Sequence, residues 1–411
     1  MNSPDSTQPC LDCDVLIVGA GPTGLTLAAA LIQAGVRATV IDRLSAGSNT
    51  SRAAVVHART LEVLERLGVA HPLVDRGLRA SRFTIRDRDR VLVPIEFSGL
   101  PTQYPYTLMV SQAETEQVLL ERLHELGGQV LRPRSLVAIE QAQDAVVGLL
   151  DDGNRVHARY VVGCDGMHSA VREQAEIPFS GGSYGESFVL ADVRASGGVP
   201  QDEVILYFSP AGMVVVAPLP DGVHRIVATV DQAPEHPTLP FVQALLNARG
   251  PEREPAVVHE VLWSSRFQVH HRVADTYRKG RVLLAGDAAH VHSPAGGQGM
   301  NAGIIDAIRL ADALRAALDG DTCELDAYTT ERRPIALQIV ALADRLTRLA
   351  TVRPALRGLR NLVLRMLSRT PAFRRRLAST LSGLVYRPKR HAARPVPALL
   401  PARTTSPRTM P

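Results

Sequence analysis

The sequence predicts an α/β protein: a twisted sheet built around a βαβ unit, interrupted by a second, mixed or antiparallel sheet and closed by helices. Three glycine-rich stretches carry that prediction. They are Gly19-Ala20-Gly21-Pro22-Thr23-Gly24, Gly163-Cys164-Asp165-Gly166, and Gly286-Asp287-Ala288-Ala289-His290, the last running on to Pro294 and Gly296-Gly297-Gln298-Gly299-Met300-Asn301. Each follows an apolar run short enough to be one buried strand, and two of them lead into helical periodicity.

Residues 14–42 read as strand, tight turn, helix and strand. The helix spans about Gly21 to Ala34 and stops at Gly35; the second strand, Ala38 to Ile41, closes on Asp42. Ser111 as N-cap with Glu114 three residues on opens another helix, which Gly127-Gly128 ends. Strands are expected at Val130–Arg132 and Leu136–Ile139, and a hairpin pairs Ala145–Leu150 with Arg155–Val162 across Asp152-Gly153. From Tyr184 to Arg266 the pattern alternates as strands, and the chain returns at Val282–Ala285. Helices follow at Gly299–Leu318 and Leu325–Leu349, then short pieces to Leu381. The expected division is a nucleotide-binding domain in two parts (12–180 and 276–350), a substrate sheet (181–275), C-terminal helices (351–386) and a disordered basic tail (387–411).

Composition narrows the function classes. The chain has 411 residues, enough for two domains, with 45% hydrophobic residues and a mean hydropathy near zero. No run of 18 apolar residues occurs and the N-terminus lacks a basic start followed by an apolar segment, so neither a membrane span nor a secretory signal is expected and a cytoplasmic location is. Net charge is +5, but residues 351–411 hold 14 Arg or Lys and no Asp or Glu, against 32 basic and 41 acidic residues elsewhere. That tail lacks interleaved aromatics, so it reads as a helical end and solvated arm and no nucleic acid is expected. Cys10-x-x-Cys13 fits a redox pair or half a zinc site; without a second pair, and placed before the first strand, it is read as neither, and no metal is expected.

The chemistry of the three stretches converges on one ligand type. Gly19 permits the turn off the strand, Gly21 lets the backbone approach a pyrophosphate, and Gly24 lets helix pack on sheet, with Pro22 and Thr23 opening the helix. The helix N-terminus then presents free N–H groups to phosphate. Asp42, 18 residues after Gly24, suits the adenosine ribose, with Arg43 beside it. These features alone leave NAD and FAD open. Asp287, at the end of a buried strand, suits ribityl hydroxyls, which FAD has and NAD lacks. The loop through Pro294, Gly297 and Gly299 into Met300 and Asn301 aims backbone N–H groups at a flavin edge.

With these residues in place the chain resembles the flavin monooxygenases of the para-hydroxybenzoate hydroxylase type, in particular the actinomycete polyketide and antibiotic hydroxylases. The similarity covers about residues 12–350. It implies a Rossmann-like (GR2-type) FAD-binding domain, and a reaction in which NADPH or NADH reduces FAD, O2 adds to give a C4a-hydroperoxide, and an aromatic substrate is hydroxylated. It further implies that Asp165 and Gly166 serve both FAD and the nicotinamide, that Arg52 contacts the flavin, and that Gln112 lies near the flavin chain. A surface arginine and a helix-start glutamine are the plain alternatives for the last two. Tyr207, Phe208, Pro210, Met213 and Val215 are candidate substrate-wall residues that equally fit plain core; no catalytic base is identified. The oligomeric state is expected to be monomer or homodimer. The alternatives are a flavin halogenase or other flavin oxidoreductase, against which stands the single Trp263, an NAD-only dehydrogenase, and a flavin-binding protein without catalysis. Leu381–Tyr386 resembles the lead-in to the thioredoxin-like domain of larger relatives; the change to an Arg/Pro-rich tail after it leads us to expect a shortened gene end.

Overall fold

A computed structural model describes residues 11–47, 53–230, 232–294, 296–350, 352 and 354–387. Arg52, Cys10 and the tail from 388 onward lie outside the described residues.

The first strand, Leu11–Val18, is flanked in parallel by Ala38–Ile41 on one side and Arg155–Gly163 on the other. Its residues Val15, Leu16 and Ile17 are fully buried, as a strand covered on both faces requires. The sheet extends in parallel through Val282–Leu284 at one side and Val130–Leu131 at the other, and the hairpin 146–163 pairs antiparallel as its alternation predicts. Helix Pro22–Gln33 follows the first strand, and helices Gln112–Glu125 and Gly299–Leu318 pack against it. Ser111 caps Gln112–Glu125 by accepting from the Glu114 N–H at 3.1 Å, as its sequence position requires. Cys13 corrects one expectation: it is no part of a leader but sits buried within the first strand, where burial pushes its thiol pKa up.

The second sheet also has eight strands. Its long members, Phe179–Ser196 and Val257–Ala274, pair antiparallel, and Val223–Val230, Gly212–Pro218 and Glu203–Ser209 follow as a meander. Two of its strands come from before residue 181. Arg82–Asp87 pairs parallel with Glu203–Ser209, and Arg90–Glu96 forms the far edge. Helix Leu239–Arg249 packs on the same sheet within the stretch read as strands. The C-terminal helices are Cys323–Ala350, Arg357–Ser368 and Pro371–Leu381.

Strand parity divides the second sheet. Ile205, Tyr207, Val214, Val216, Ile226 and Ala228 enter a small core on one face. Leu206, Met213, Val215 and Val227 turn the other way, toward the nucleotide-binding sheet, because successive side chains alternate across a strand. The space between the two sheets is where the site lies.

Candidate functional site

Three strand ends meet at the first glycine turn. Gly19 has φ +103°, and a Cβ there would lie 2.3 Å from the Cys164 carbonyl oxygen. A Cβ on Gly24 would lie 1.9 Å from the Gly19 carbonyl oxygen. Gly21 differs: nothing stands within 4 Å of where its Cβ would be, so the backbone there faces open space. It is the N-cap of helix Pro22–Gln33, which has no side-chain cap and no acid in its first turn. Such an uncapped N-terminus suits a pyrophosphate. Thr23 Oγ1 fills the gap between Gly286 and Gly303, where added Cβ atoms would approach it to 2.5 and 2.4 Å. It therefore locks the first turn to the last.

Asp42 ends the second strand. Its Oδ2 accepts from the Ala20 N–H at 2.6 Å and its Oδ1 from the Leu44 N–H at 2.8 Å, fixing it beside the turn. Gln112 donates to Glu116 Oε1 at 2.8 Å, and burial raises the Glu116 pKa. Asp42, Arg43, Gln112 and Glu116 line a cavity of about 410 Å3. A second cavity of about 560 Å3 shares Gly21, Arg43, Gln112 and Asp165 with it, so the two are consecutive lengths of one channel. The second contains Pro22, Thr23, Gly166, Asp287, Pro294, Gly297, Gly299 and Met300 in its lining, which puts Gly21 and Asp287 on one space.

Asp165 faces both lengths. Its Oδ2 accepts from the Val171 N–H at 3.2 Å, while its Oδ1, although buried, makes no hydrogen bond among the described residues. Burial raises its pKa. A buried carboxylate oxygen left in this state is suited to a ligand hydroxyl. Helix Gly299–Leu318 likewise starts without a side-chain cap or an early acid, with its first turn on the cavity.

Asn301 does not line the cavity. Its Oδ1 accepts from the His57 N–H at 2.8 Å, and its Nδ2 donates to the carbonyls of Val55 and Gly297 at 2.9 and 2.8 Å. It staples the loop before helix Ala58–Leu64 to the glycine loop, and Gly24 likewise serves packing. Arg225, buried, forms a two-point pair with Asp192 at 2.7 Å and donates to the Ala53 carbonyl at 2.8 Å, pinning the residue after Arg52.

Of the wall candidates, Met213 and Val215 line the cavity. Tyr207 is buried in the separate core on the opposite face, where burial pushes its phenol pKa up to about 12. Phe208, of the right parity, lies at the strand end beneath the Arg360 guanidinium, 5.1 Å from its ring, and neither it nor Pro210 lines the cavity. The wall residues that sequence reading missed include Phe83, Leu206, Val227 and Phe267. His57 and His292 were missed as cavity residues too, and burial takes both imidazole pKa values down to about 4. His292 Nδ1 donates to the Ser293 carbonyl at 2.8 Å, so its Nε2, which has no partner among the described residues, is a bare acceptor.

A family model described as FAD binding domain matches residues 12–343. The chain belongs to this FAD-binding-domain family of flavin monooxygenases. It is 40% identical over 354 residues to 6-methylpretetramide 4-monooxygenase of Streptomyces rimosus, covering 84% of this chain and 62% of that one. It is 36% identical over 369 residues to a rifampicin monooxygenase of Streptomyces venezuelae, covering 85% and 74%. Among solved structures, an anhydrotetracycline hydroxylase from Streptomyces rimosus superposes with a TM-score of 0.76 at 36% identity, covering 91% of this chain and 76% of that one. The chain thus spans 62% to 76% of the length of these relatives, less than two thirds of the first. FAD is the family's cofactor, and the channel fits it: an open backbone face at Gly21, a two-part cavity joining Gly21 to Asp287, and an unsatisfied buried oxygen on Asp165.

Proposed function

We propose that the chain hydroxylates an electron-rich ring of an aromatic, polyketide-type substrate. NADPH or NADH supplies two electrons; one atom of O2 enters the product and the other leaves as water. The observation that carries this reading is the 560 Å3 cavity, one wall of which is cofactor turn and the other an apolar face of the inserted sheet. Bound FAD supplies the oxygen chemistry.

The chain's own groups do the rest. Gly21, Asp42, Asp165 and Asp287 would hold the cofactor along its length, with Arg43, Gln112 and, by the family resemblance, Arg52 alongside. The uncapped helix start at Gly299 and Met300 would present its N–H groups to the cofactor's ring edge, where a helix N-terminus favours negative charge by ~0.3–1 kcal/mol and up to ~2 when partly buried. Phe83, Leu206, Met213, Val215 and Phe267 exclude water and receive the substrate ring. The neutral His292 Nε2 accepts the hydrogen bond of a substrate hydroxyl. The relatives' names, on tetracycline-type substrates and rifampicin, support an antibiotic-sized aromatic ligand, and the second reading is modification of a finished antibiotic.

The purified chain is expected to be yellow. With a panel of polyketide phenols it is expected to show substrate-stimulated NAD(P)H oxidation and a product heavier by one oxygen. A yellow protein that oxidises NAD(P)H at one rate with every phenol, and modifies none, would leave a flavin oxidoreductase or a binding protein instead. Met213→Trp should crowd the wall and raise KM roughly tenfold or more, about 1–3 kcal/mol of overpacking, with flavin content unchanged. An unaltered KM would place the substrate elsewhere.

A further inference from the structure

Helix Arg357–Ser368 packs on the edge strand Arg90–Glu96 of the inserted sheet with its polarity inverted. The groups that attach it are mainly polar. Arg360 is buried and donates to the carbonyls of Leu349 and Phe208 at 2.9 and 3.2 Å. Asn361 Nδ2 donates to Asp87 Oδ2 at 2.6 Å, and Leu364 is the one buried leucine of the helix. The outward face holds Leu359, Leu362, Val363, Met366 and Leu367, with Leu356 just before the helix; Leu359 is 59% exposed and Met366 57%. At 3.6 residues per turn these six fall on one arc of roughly 140°, with the C-cap Arg369 about 20° beyond one edge.

We propose that this face docks on an anionic phospholipid bilayer. An apolar arc of this width needs an apolar partner, which a nucleic acid does not offer. A second copy would bring like charge together, since the described stretch 354–387 carries eight arginines and no Asp or Glu. An anionic headgroup layer over acyl chains meets both demands: the arginines pair with headgroups and the leucines enter the boundary beneath. The helix lies in the plane of the surface, in keeping with the finding that no described helix is long and apolar enough to cross a membrane. It is tied through Arg360 to the end of the strand whose Leu206 walls the cavity, so docking sets that cavity close to the surface where apolar ring systems collect.

Flotation of the full chain with phosphatidylcholine vesicles, alone or mixed with equal phosphatidylglycerol, tests this independently of the reaction. Binding to the anionic vesicles is expected to exceed that to the neutral ones by roughly tenfold or more, and to weaken as salt rises. Leu362→Glu with Met366→Glu should lower it by a similar factor, with melting temperature and flavin content unchanged because both residues are exposed. A chain that stays off phosphatidylglycerol vesicles would overturn the proposal. So would a dimer, seen by light scattering, that the double variant converts to monomer, since a second copy would then cover the face.

Discussion

Gly24→Ala is expected to abolish flavin retention by breaking the turn itself. The new methyl would stand 1.9 Å from the Gly19 carbonyl oxygen and 3.3 Å from Cys164 Cβ, and both neighbours are held by the strands Leu11–Val18 and Arg155–Gly163. Neither is the free end of a flexible side chain, so the helix must move off the sheet. Overpacking costs about 1–3 kcal/mol where a core can yield, and more where backbone must shift. Gly21→Ala is the contrasting variant. Its methyl meets nothing within 4 Å, so the apo fold should keep its melting temperature while FAD affinity falls, because the methyl occupies space that a pyrophosphate needs. Melting curves and flavin content of the two variants, measured together, check both statements. A Gly21→Ala protein that stays fully yellow would place the phosphates elsewhere.

The second large effect concerns a buried charge cluster behind the flavin motif. Asp306 Oδ2 is 2.6 Å from His290 Nε2, and its Oδ1 is 2.5 Å from Arg332 Nε, with all three residues buried. Burial by itself would raise the Asp306 pKa; the charges of Arg332 and His290 outweigh it and hold the carboxyl below its ordinary range. Asp306→Leu leaves Arg332 buried and unpaired, and should cost roughly 3–5 kcal/mol. Adding Arg332→Met should recover most of that loss, because burying an ion pair in place of apolar groups gives little net gain. The sign with pH follows from the depressed pKa. The contribution is fully present above the unfolded value of about 4 and is lost as pH falls through the lower folded value. Urea stabilities of the parent chain and the Asp306→Leu variant, well apart at neutral pH, should therefore converge in the acid. Curves that stay parallel would show that Asp306 carries no such linkage.

Legibility in the sequence followed how local each signal was. The first βαβ unit reads plainly because the strand, glycine spacing, helix and Asp42 lie within about 30 residues and serve one ligand. Asp287 and the Gly296–Gly299 loop read for the same reason. Residues 53–110 carried no reading; three of their strands have only two or three residues, and Arg82–Asp87 pairs with residues more than 100 positions later, which no local period records. The wall of the cavity was half legible. All seven residues of Glu203–Ser209 are buried, so hydrophobicity along this strand does not alternate, and Tyr207 could not be told from Leu206 by pattern. Asn301 showed itself as part of a motif, but its work as a staple between Val55, His57 and Gly297 spans more than 240 positions.

The amino-acid sequence by itself determined the cofactor turns, because a tight turn, an uncapped helix start and a carboxylate at a strand end are conditions on neighbouring residues. Only the tertiary structure decided that the three turns open on one channel, which face of each inserted strand looks into it, and that a helix near the C-terminus hides its arginine and displays its leucines. Those outcomes depend on which surfaces meet, and a chain position carries no record of its partner until the sheets have packed.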